Sequence, residues 1–290
     1  MSEFERRTRE DRPVVAICYD FDKTLTPDNM QAQGYLQSIN YEDQDEFWAE
    51  TNQLAREHEM DTNLAWMYLM LKGSFGKKFF RREMLAGYGA KVELYDGVKE
   101  WFGRVRRYGE ERGILVEHYV ISSGLKEMIE GTAVAGEFEK IYGSSFFYDK
   151  HGLAMWPAQV INYTNKTQFL FRVSKGVLDI NDDAVNDYFP PDQIRVPTKN
   201  MVYIGDSFTD IPCMKVVNSF GGHSIGVYDP DTGNTAQVRK LLKENRIRYY
   251  APANYTEGSQ LDELIKMILD KTIAVAKLDK AYFTQLDEAQ

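Results

Sequence analysis

The chain has few cysteines, no long apolar run and no excess of basic charge. Two cysteines among 290 residues, Cys18 and Cys213, exclude a disulfide framework, and their separation matches no metal-binding spacing. No stretch approaches the roughly 20 apolar residues that span a bilayer, and the first residues lack the apolar segment of a signal peptide. We therefore expect a cytoplasmic protein with no membrane partner, and we expect both cysteines to pack as small core residues.

The excess of acidic over basic residues also limits the kinds of molecule that the protein can bind. Asp and Glu number 44 against 35 Lys and Arg, which gives a formal net charge of −9. Recognition of a phosphate backbone needs a basic surface, so we expect no nucleic acid partner. A small anionic substrate stays compatible with this charge, because local cations and a metal can dominate the field inside a site.

The most informative pattern present is a buried strand that ends in two acids. Residues 14–19, VVAICY, are nearly continuously apolar, which predicts a strand covered on both faces of a parallel sheet. Asp20 and Asp22 follow at once. Two such close carboxylates repel each other, and they are tolerated best beside a cation or when one keeps its proton. The pair therefore predicts a metal and catalytic site.

Two later predicted strands are also followed directly by polar residues. One, at residues 118–121, runs into SSG at 122–124, and another, at 201–204, runs into GDSFTD at 205–210. Ligands of open α/β sheets bind in the crevice outside the carboxyl ends of the strands. Strands alternate with helical patterns over most of the chain, which predicts an α/β fold with a doubly wound, mostly parallel sheet.

A helical insertion separates the first two strands. Residues 27–92 carry apolar side chains at helical spacing and contain no strand pattern, so we predict a helical domain there. The core would then consist of residues 1–26 and 93–290, with a β-hairpin near 144–163 where aromatic residues flank a glycine turn. The apolar run at 64–71 fits either the interior of the insertion or a dimer face, so the oligomeric state stays open.

The polar groups at the strand ends have the chemistry for phosphoryl transfer. A carboxylate such as Asp20 can attack phosphorus and divide one difficult displacement into two easier ones. Mg²⁺ prefers hard oxygen ligands, which Asp20 and Asp206 could supply. Asp22 could protonate the leaving oxygen and later activate water. Ser122 and Lys166 would orient and neutralise the phosphoryl oxygens.

These motifs, in this order, resemble those of the haloacid dehalogenase superfamily. DFDKTL at 20–25 is similar to the first motif of its phosphatase branch, D-x-D-x-T. Ser122 matches the hydroxyl of the second motif, and GDSFTD at 205–210 matches the fourth, G-D-x-x-x-D. The insertion resembles the family's helical cap, and the predicted hairpin resembles that of phosphoserine-phosphatase-like members. The resemblance implies a Rossmann-like core carrying an inserted helical cap.

The resemblance also implies roles for individual residues. Asp20 would be the nucleophile and Asp22 the general acid and base. Mg²⁺ would be held by Asp20, by Asp206 and by the backbone carbonyl of Asp22. Asp210 would support the metal site, either directly or through water.

The family's third motif is a single lysine, for which the sequence offers two candidates. Lys166, at a predicted helix start, fits better than Lys175. We further expect four substrate-binding residues, namely Ser123, Gly124, Gln31 and Gln33. A basic group in the insertion could meet an anionic substrate or simply form a charged helix face; it comprises Lys77, Lys78, Arg81 and Arg82.

The predicted function is a Mg²⁺-dependent phosphomonoester hydrolase that acts on a small phosphorylated metabolite through an aspartyl-phosphate. Two alternatives stay open. The same nucleophile would serve a phosphotransferase or mutase, and receiver-type regulatory proteins also place acids, a hydroxyl and a lysine on a doubly wound sheet. Asp22 favours turnover, because a stable phospho-acceptor has less use for a general acid and base.

Overall fold

A computed structural model describes residues 4–74 and 80–289. Its centre is a seven-stranded sheet with the order β4-β3-β2-β1-β5-β6-β7. The strands are β1 Val14–Tyr19, β2 Leu115–Leu125, β3 Lys140–Tyr148, β4 Ala154–Gln159, β5 Met201–Gly205, β6 His223–Tyr228 and β7 Tyr249–Pro252. All neighbours pair in parallel except β3 and β4, which are antiparallel. The predicted fold class is therefore confirmed.

Ten α-helices accompany the sheet within the described residues. They are α1 Tyr35–Ser38, α2 Gln44–Glu57, α3 Thr62–Ser74, α4 Arg82–Gly89, α5 Val98–Glu110, α6 Lys126–Gly131, α7 Thr167–Lys175, α8 Ile211–Ser219, α9 Ala236–Lys243 and α10 Gln260–Glu288. Short 3₁₀ segments lie at Met30–Ala32, Ala135–Glu137, Asp183–Asn186, Thr198–Asn200 and Phe208–Asp210. None of the described helices combines the length and the apolar character needed to cross a bilayer.

The sheet is buried on both faces, which explains the unbroken apolar sequence of β1. Alternate β1 side chains, including Ile17 and Tyr19, pack in one core together with α5 and α10. The others, including Ala16 and Cys18, pack in a second core with α7, α8 and α9. Successive side chains of a strand point to opposite faces, so a strand covered on both sides must be apolar throughout.

Helices α1 to α4 all lie in the connection between β1 and α5, where no strand longer than an isolated bridge occurs among the described residues. The apolar run at 64–71 falls in α3. Trp66, Met67, Leu69 and Met70 are buried there within the core that also contains the β1 side chains. The run therefore packs inside the protein, and Tyr68 is its one large exposed side chain.

The insertion is joined to the core by close packing of α4 on α6. A Cβ on Gly89 would lie 1.9 Å from the backbone oxygen of Met128, and one on Gly131 would lie 2.1 Å from that of Ala86. Real Cβ atoms never approach a backbone oxygen so closely. Glycine at both positions therefore lets the two helix backbones come into contact.

The predicted hairpin is a continuation of the sheet. β3 pairs in parallel with β2 through its first residues and antiparallel with β4 through its last ones. The strand pair occupies Lys140–Tyr148 and Ala154–Gln159, so it begins earlier and ends earlier than the predicted 144–163. One strand serves two pairings, and an apolar pattern alone does not show where one pairing ends and the other begins.

Candidate active site

The central strands β2, β1 and β5 bring three predicted site residues to one edge. Tyr19, the last residue of β1, is in register with Val120 of β2 and Ile204 of β5. The next residue, Asp20, continues the alignment, because its backbone N–H donates to the Ile204 oxygen at 2.9 Å. Asp206 follows β5, and Ser122 lies near the end of β2. The order of the strands reverses between β1 and β5. Ligands of such sheets usually bind at the carboxyl ends of the strands at this point.

Three carboxylates meet here. Asp20, Asp206 and Asp210 each offer an oxygen, and these oxygens lie within 4.8 Å of one another. Burial, followed by the charge of Asp210, raises the pKa of Asp20 to about 6. The same two causes raise the pKa of Asp206 well above its usual range. Crowded, desolvated carboxylate oxygens are stabilised by a hard divalent cation, so the oxygens that Asp20 and Asp206 offer fit Mg²⁺.

Lys166 is fully buried between these acids. Its Nζ lies 2.6 Å from Asp210 Oδ1 and 3.2 Å from Asp20 Oδ1. Burial alone would lower the pKa of this ammonium, but the two carboxylates raise it above its usual value. Lys166 precedes α7, whereas Lys175, at the other end of that helix, donates to the backbone oxygens of Val185 and Asp187. Of the two candidate lysines, the structure therefore brings Lys166 to the site.

Asp210 is held by four hydrogen bonds. Its Oδ1 accepts from Lys166 and from Tyr203 at 2.8 Å, and its Oδ2 accepts from Ser207 N at 3.1 Å and Ser207 Oγ at 3.0 Å. The Asp210 carboxylate also packs closely against the backbone of Gly205, because a Cβ at that position would lie 2.6 Å from Asp210 Oδ2. The glycine that precedes Asp206 thus makes room for Asp210.

Asp22 is fixed by the start of the insertion. The Met30 N–H donates to Asp22 Oδ1 at 2.8 Å. Burial, followed by the charge of Asp20, raises the pKa of Asp22 to about 7. A carboxyl group with that pKa can both give and take a proton near neutral pH.

Ser122 completes the group of predicted catalytic side chains. It is buried, and its Oγ accepts from the Gly124 N–H at 3.1 Å. Ser123 and Gly124 line the same cavity as Asp20, Asp22 and Asp206. The hydroxyl and the β2 backbone after it therefore line the cavity beside the carboxylates.

A cavity of about 500 Å³ covers these groups. The rest of its lining comes from the insertion and the segment after β4; the residues are Asn29, Gln31, Trp48, Asp61, Thr62, Asn63, Trp66, Asn162 and Tyr163. Two hydrogen bonds tie these parts together. Asn162 Nδ2 donates to Asp61 Oδ2 at 2.6 Å, and Asn63 Nδ2 donates to the Ile161 oxygen at 2.7 Å.

The two predicted glutamines have different positions. Gln31 is buried and lines the cavity. Gln33 is not among the described residues of the cavity wall: its amide donates to Thr26 Oγ1 at 2.7 Å and accepts from the Glu93 N–H at 2.8 Å. Its side chain thus joins the two ends of the insertion, and the substrate-binding role of Gln33 stays a prediction.

Two members of the basic group, Arg81 and Arg82, are not among the described residues of the cavity wall either. Arg82 donates to Glu130 at 3.2 Å and lies over the Tyr148 ring. Arg81 pairs through its backbone with Leu153. Lys77 and Lys78 lie outside the described residues.

Comparison with known families identifies the chain. The model of the haloacid dehalogenase-like hydrolases matches residues 17–215, which is more than half of the sequence. The chain belongs to this family. The predicted resemblance is confirmed, and with it the prediction of a hydrolytic enzyme. An uncharacterised protein of Borreliella burgdorferi is 26% identical over 273 residues, covering 86% of this haloacid dehalogenase-like hydrolase and 94% of the relative.

Solved structures share the fold at low identity. A HAD-family hydrolase of Salmonella enterica serovar Typhi superimposes with a TM-score of 0.57 at 15% identity, covering 89% of this chain and 72% of that one. A probable phosphoserine phosphatase of Vibrio cholerae gives 0.55 at 13%, covering 93% and 67%. A phosphoserine phosphatase described as a phospho-aspartyl intermediate analogue gives 0.50 at 16%, covering 88% and 99%. The hydrolase thus has the fold of phosphoserine-phosphatase-like members.

Several site residues were not expected from the sequence. Tyr203 and Ser207 hold Asp210, and Asp61 and Asn162 join the cavity walls. The S-x-x-D spacing of Ser207 and Asp210 is a capping-box signature and could have indicated their contact. Asp61 and Asn162 are far apart in sequence, and no spacing signals their pairing.

Proposed function

We propose that this haloacid dehalogenase-like hydrolase cleaves phosphate monoesters of small metabolites through a phosphorylated Asp20. The observation that carries the proposal is the buried Lys166 ammonium, which contacts Asp20 and Asp210 beside Asp206. A buried cation among acids at the strand ends neutralises charge where an anionic phosphoryl group must approach a carboxylate. A cytoplasmic location stays a prediction.

In the first step, an oxygen of Asp20 attacks phosphorus and the bond from phosphorus to the alcohol oxygen breaks. Asp22 gives its proton to that oxygen, so the alcohol leaves neutral. Lys166 holds Asp20 in one orientation, which lowers the entropic cost of reaching the reactive geometry. The Ser122 hydroxyl and the backbone at Gly124 bind the phosphoryl oxygens.

In the second step, the Asp22 carboxylate takes a proton from a water molecule as that water attacks phosphorus. The bond between phosphorus and Asp20 breaks, which restores the carboxylate and releases inorganic phosphate. Asp22 regains its proton and is ready for the next turnover. The Met30 N–H keeps Asp22 in place for both proton transfers.

The proposed cofactor is Mg²⁺, with Asp20, Asp206 and the backbone carbonyl of Asp22 as ligands. When bound there, it would neutralise charge on the phosphoryl oxygens and on the attacking carboxylate. The oxygens of Asp210 already accept four hydrogen bonds, so we assign that residue an indirect role in positioning the site.

We also propose that residues 27–92 act as a cap. Their side chains form one wall of the cavity above the catalytic carboxylates, and α4 fixes them to α6. A wall of this kind excludes water from the acyl phosphate and gives the site its selectivity.

The proposal is tested by phosphate release from p-nitrophenyl phosphate and from a panel of phosphorylated metabolites, with and without Mg²⁺. We expect catalytic turnover that needs the metal and is lost in Asp20→Asn. Asp192→Asn, which changes an exposed acid, serves as the matched control. Transfer of phosphate to an acceptor other than water would favour a phosphotransferase. Phosphorylation of the protein without turnover would favour a regulatory protein.

A further inference from the structure

The cavity lining outside the catalytic residues contains aromatic residues and an acid. Trp48 and Trp66 come from α2 and α3, Tyr163 follows β4, and Asp61 precedes α3. Among the described residues of the cavity wall, Lys23 is the single lysine and there is no arginine. Lys23 lies close to the catalytic carboxylates, because its charge opposes the rise that burial causes in the pKa of both Asp22 and Asp206.

The charge of Asp61 is fixed in place but not neutralised. Its Oδ1 accepts from the backbone N–H groups of Asn63 at 2.8 Å and Leu64 at 3.2 Å. Its Oδ2 accepts from the Asn162 amide at 2.6 Å. All three donors are uncharged, and Asp61 forms no ion pair with any described residue. Among the described residues, the Asp61 carboxylate thus lines the cavity without a cationic partner.

A wall of this composition would discriminate between substrates by charge. Indole and phenol rings attract cations over their faces, most strongly when the cation is weakly hydrated, as a quaternary ammonium is. A carboxylate on the substrate would need a lysine or arginine partner when it leaves water, and here it would instead approach Asp61.

We infer that the preferred substrates are phosphate monoesters of cationic amino alcohols, of the choline and ethanolamine type. This inference rests on the proposed phosphatase function of the same site. It disfavours esters whose alcohol carries a carboxylate, phosphoserine among them, although the chain shares its fold with phosphoserine phosphatases.

Two matched pairs of substrates isolate the charge. Phosphoethanolamine and phosphoserine differ only by a carboxylate. Phosphocholine and its neutral analogue, in which a tert-butyl group replaces the trimethylammonium group, have nearly the same shape. We expect kcat/KM to be about tenfold or more higher for phosphoethanolamine and for phosphocholine than for their respective partners, as cation–π contact and one fixed charge would give.

Variants then assign the selectivity to the wall. Asn keeps the N-cap function of Asp61 and removes its charge, so Asp61→Asn should lower the preference for phosphocholine over its neutral analogue several-fold. Trp48→Leu should lower it as well. Asp192→Asn and Trp156→Leu are the matched controls, because both residues are exposed and neither is among the described residues of the cavity wall. A ratio measured within one variant cancels any change in overall activity.

The outcomes distinguish the proposed phosphatase function from the inferred preference for cationic substrates. If p-nitrophenyl phosphate is hydrolysed while phosphoserine is cleaved as well as phosphoethanolamine, the inference is overturned and the proposed phosphatase function stands. Equal rates for phosphocholine and its neutral analogue would overturn it in the same way. If no ester releases phosphate, both claims fail.

Discussion

At the scale of single residues, the site contains carboxylates and an ammonium group whose burial would in each case be unfavourable without the opposite charge. Asp20 and Asp210 are buried, Asp206 is half-buried beside them, and among the described residues Lys166 is the buried cation that contacts this group. Removing Lys166 would leave the acids without their buried cation, which is strongly destabilising. Burying like charges close together opposes folding, and we propose that the arrangement is retained for its chemistry.

The role of Asp22 predicts a dependence on the leaving group. Asp22→Asn should slow hydrolysis of an alkyl phosphate by about a hundredfold or more, because the alcohol oxygen is no longer protonated. Formation of the phosphoenzyme from an activated aryl phosphate should suffer less, since that leaving group needs little protonation. Rapid-quench measurement of both substrates checks this, and equal losses would count against the assigned role.

The contact between Gly205 and Asp210 predicts a second effect. In Gly205→Ala the new Cβ would overlap the Asp210 carboxylate and displace it from Lys166. We expect a stability loss of about 1–3 kcal/mol and, because small misplacements in a site are costly, a loss of turnover of about a hundredfold. Gly136→Ala, where a Cβ meets nothing within 4 Å, is the control. Turnover equal to that of the control would show that Asp210 is not tightly positioned.

At the scale of elements, local sequence patterns predicted the strands, whereas contacts between distant segments could not be predicted. The apolar runs of β1 and β5 and the acids that follow them predicted strands, fold class and the meeting of Asp20 with Asp206, because parallel strands end at one edge. The contacts of α4 with α6 and of Asp61 with Asn162 could not be predicted in this way. They join distant segments, and no local periodicity encodes such pairs. The same holds for β3, whose two pairings share one apolar pattern.

The glycine contact between α4 and α6 can be tested on one helix. Gly89→Ala would place a Cβ against the Met128 backbone oxygen and should lower the free energy of unfolding by about 1–3 kcal/mol or more. Gly87→Ala lies on the same helix, where a Cβ meets nothing within 4 Å, and should leave stability equal or raise it. Urea denaturation measures both. Equal midpoints would mean that α4 does not pack closely on α6 in solution.

At the scale of the whole molecule, ligand binding and folding are linked. A ligand present at a hundredfold excess over its Kd stabilises the folded state by about 2.7 kcal/mol. Mg²⁺ should therefore raise the melting temperature of this enzyme, since it would bind carboxylates that repel one another when the fold is intact.

Asp206→Ala should abolish that shift. Without metal, the variant should melt no lower than the native protein, because burial raises the pKa of Asp206 and the charged side chain opposes folding. Asp192→Ala should keep the full response to Mg²⁺. A native-like shift in Asp206→Ala would show that the ion binds elsewhere.

The central claim, that Asp20 carries the phosphoryl group, has a direct chemical test. Asp22→Asn is incubated with p-nitrophenyl phosphate and Mg²⁺, denatured in acid and treated with borohydride, which reduces an aspartyl-phosphate to homoserine. Peptide mapping should find homoserine at position 20, and treatment of Asp20→Asn should yield none. Turnover by the native enzyme with no reduced residue at position 20 in the trapped variant, or with the label at another acid, would contradict this account.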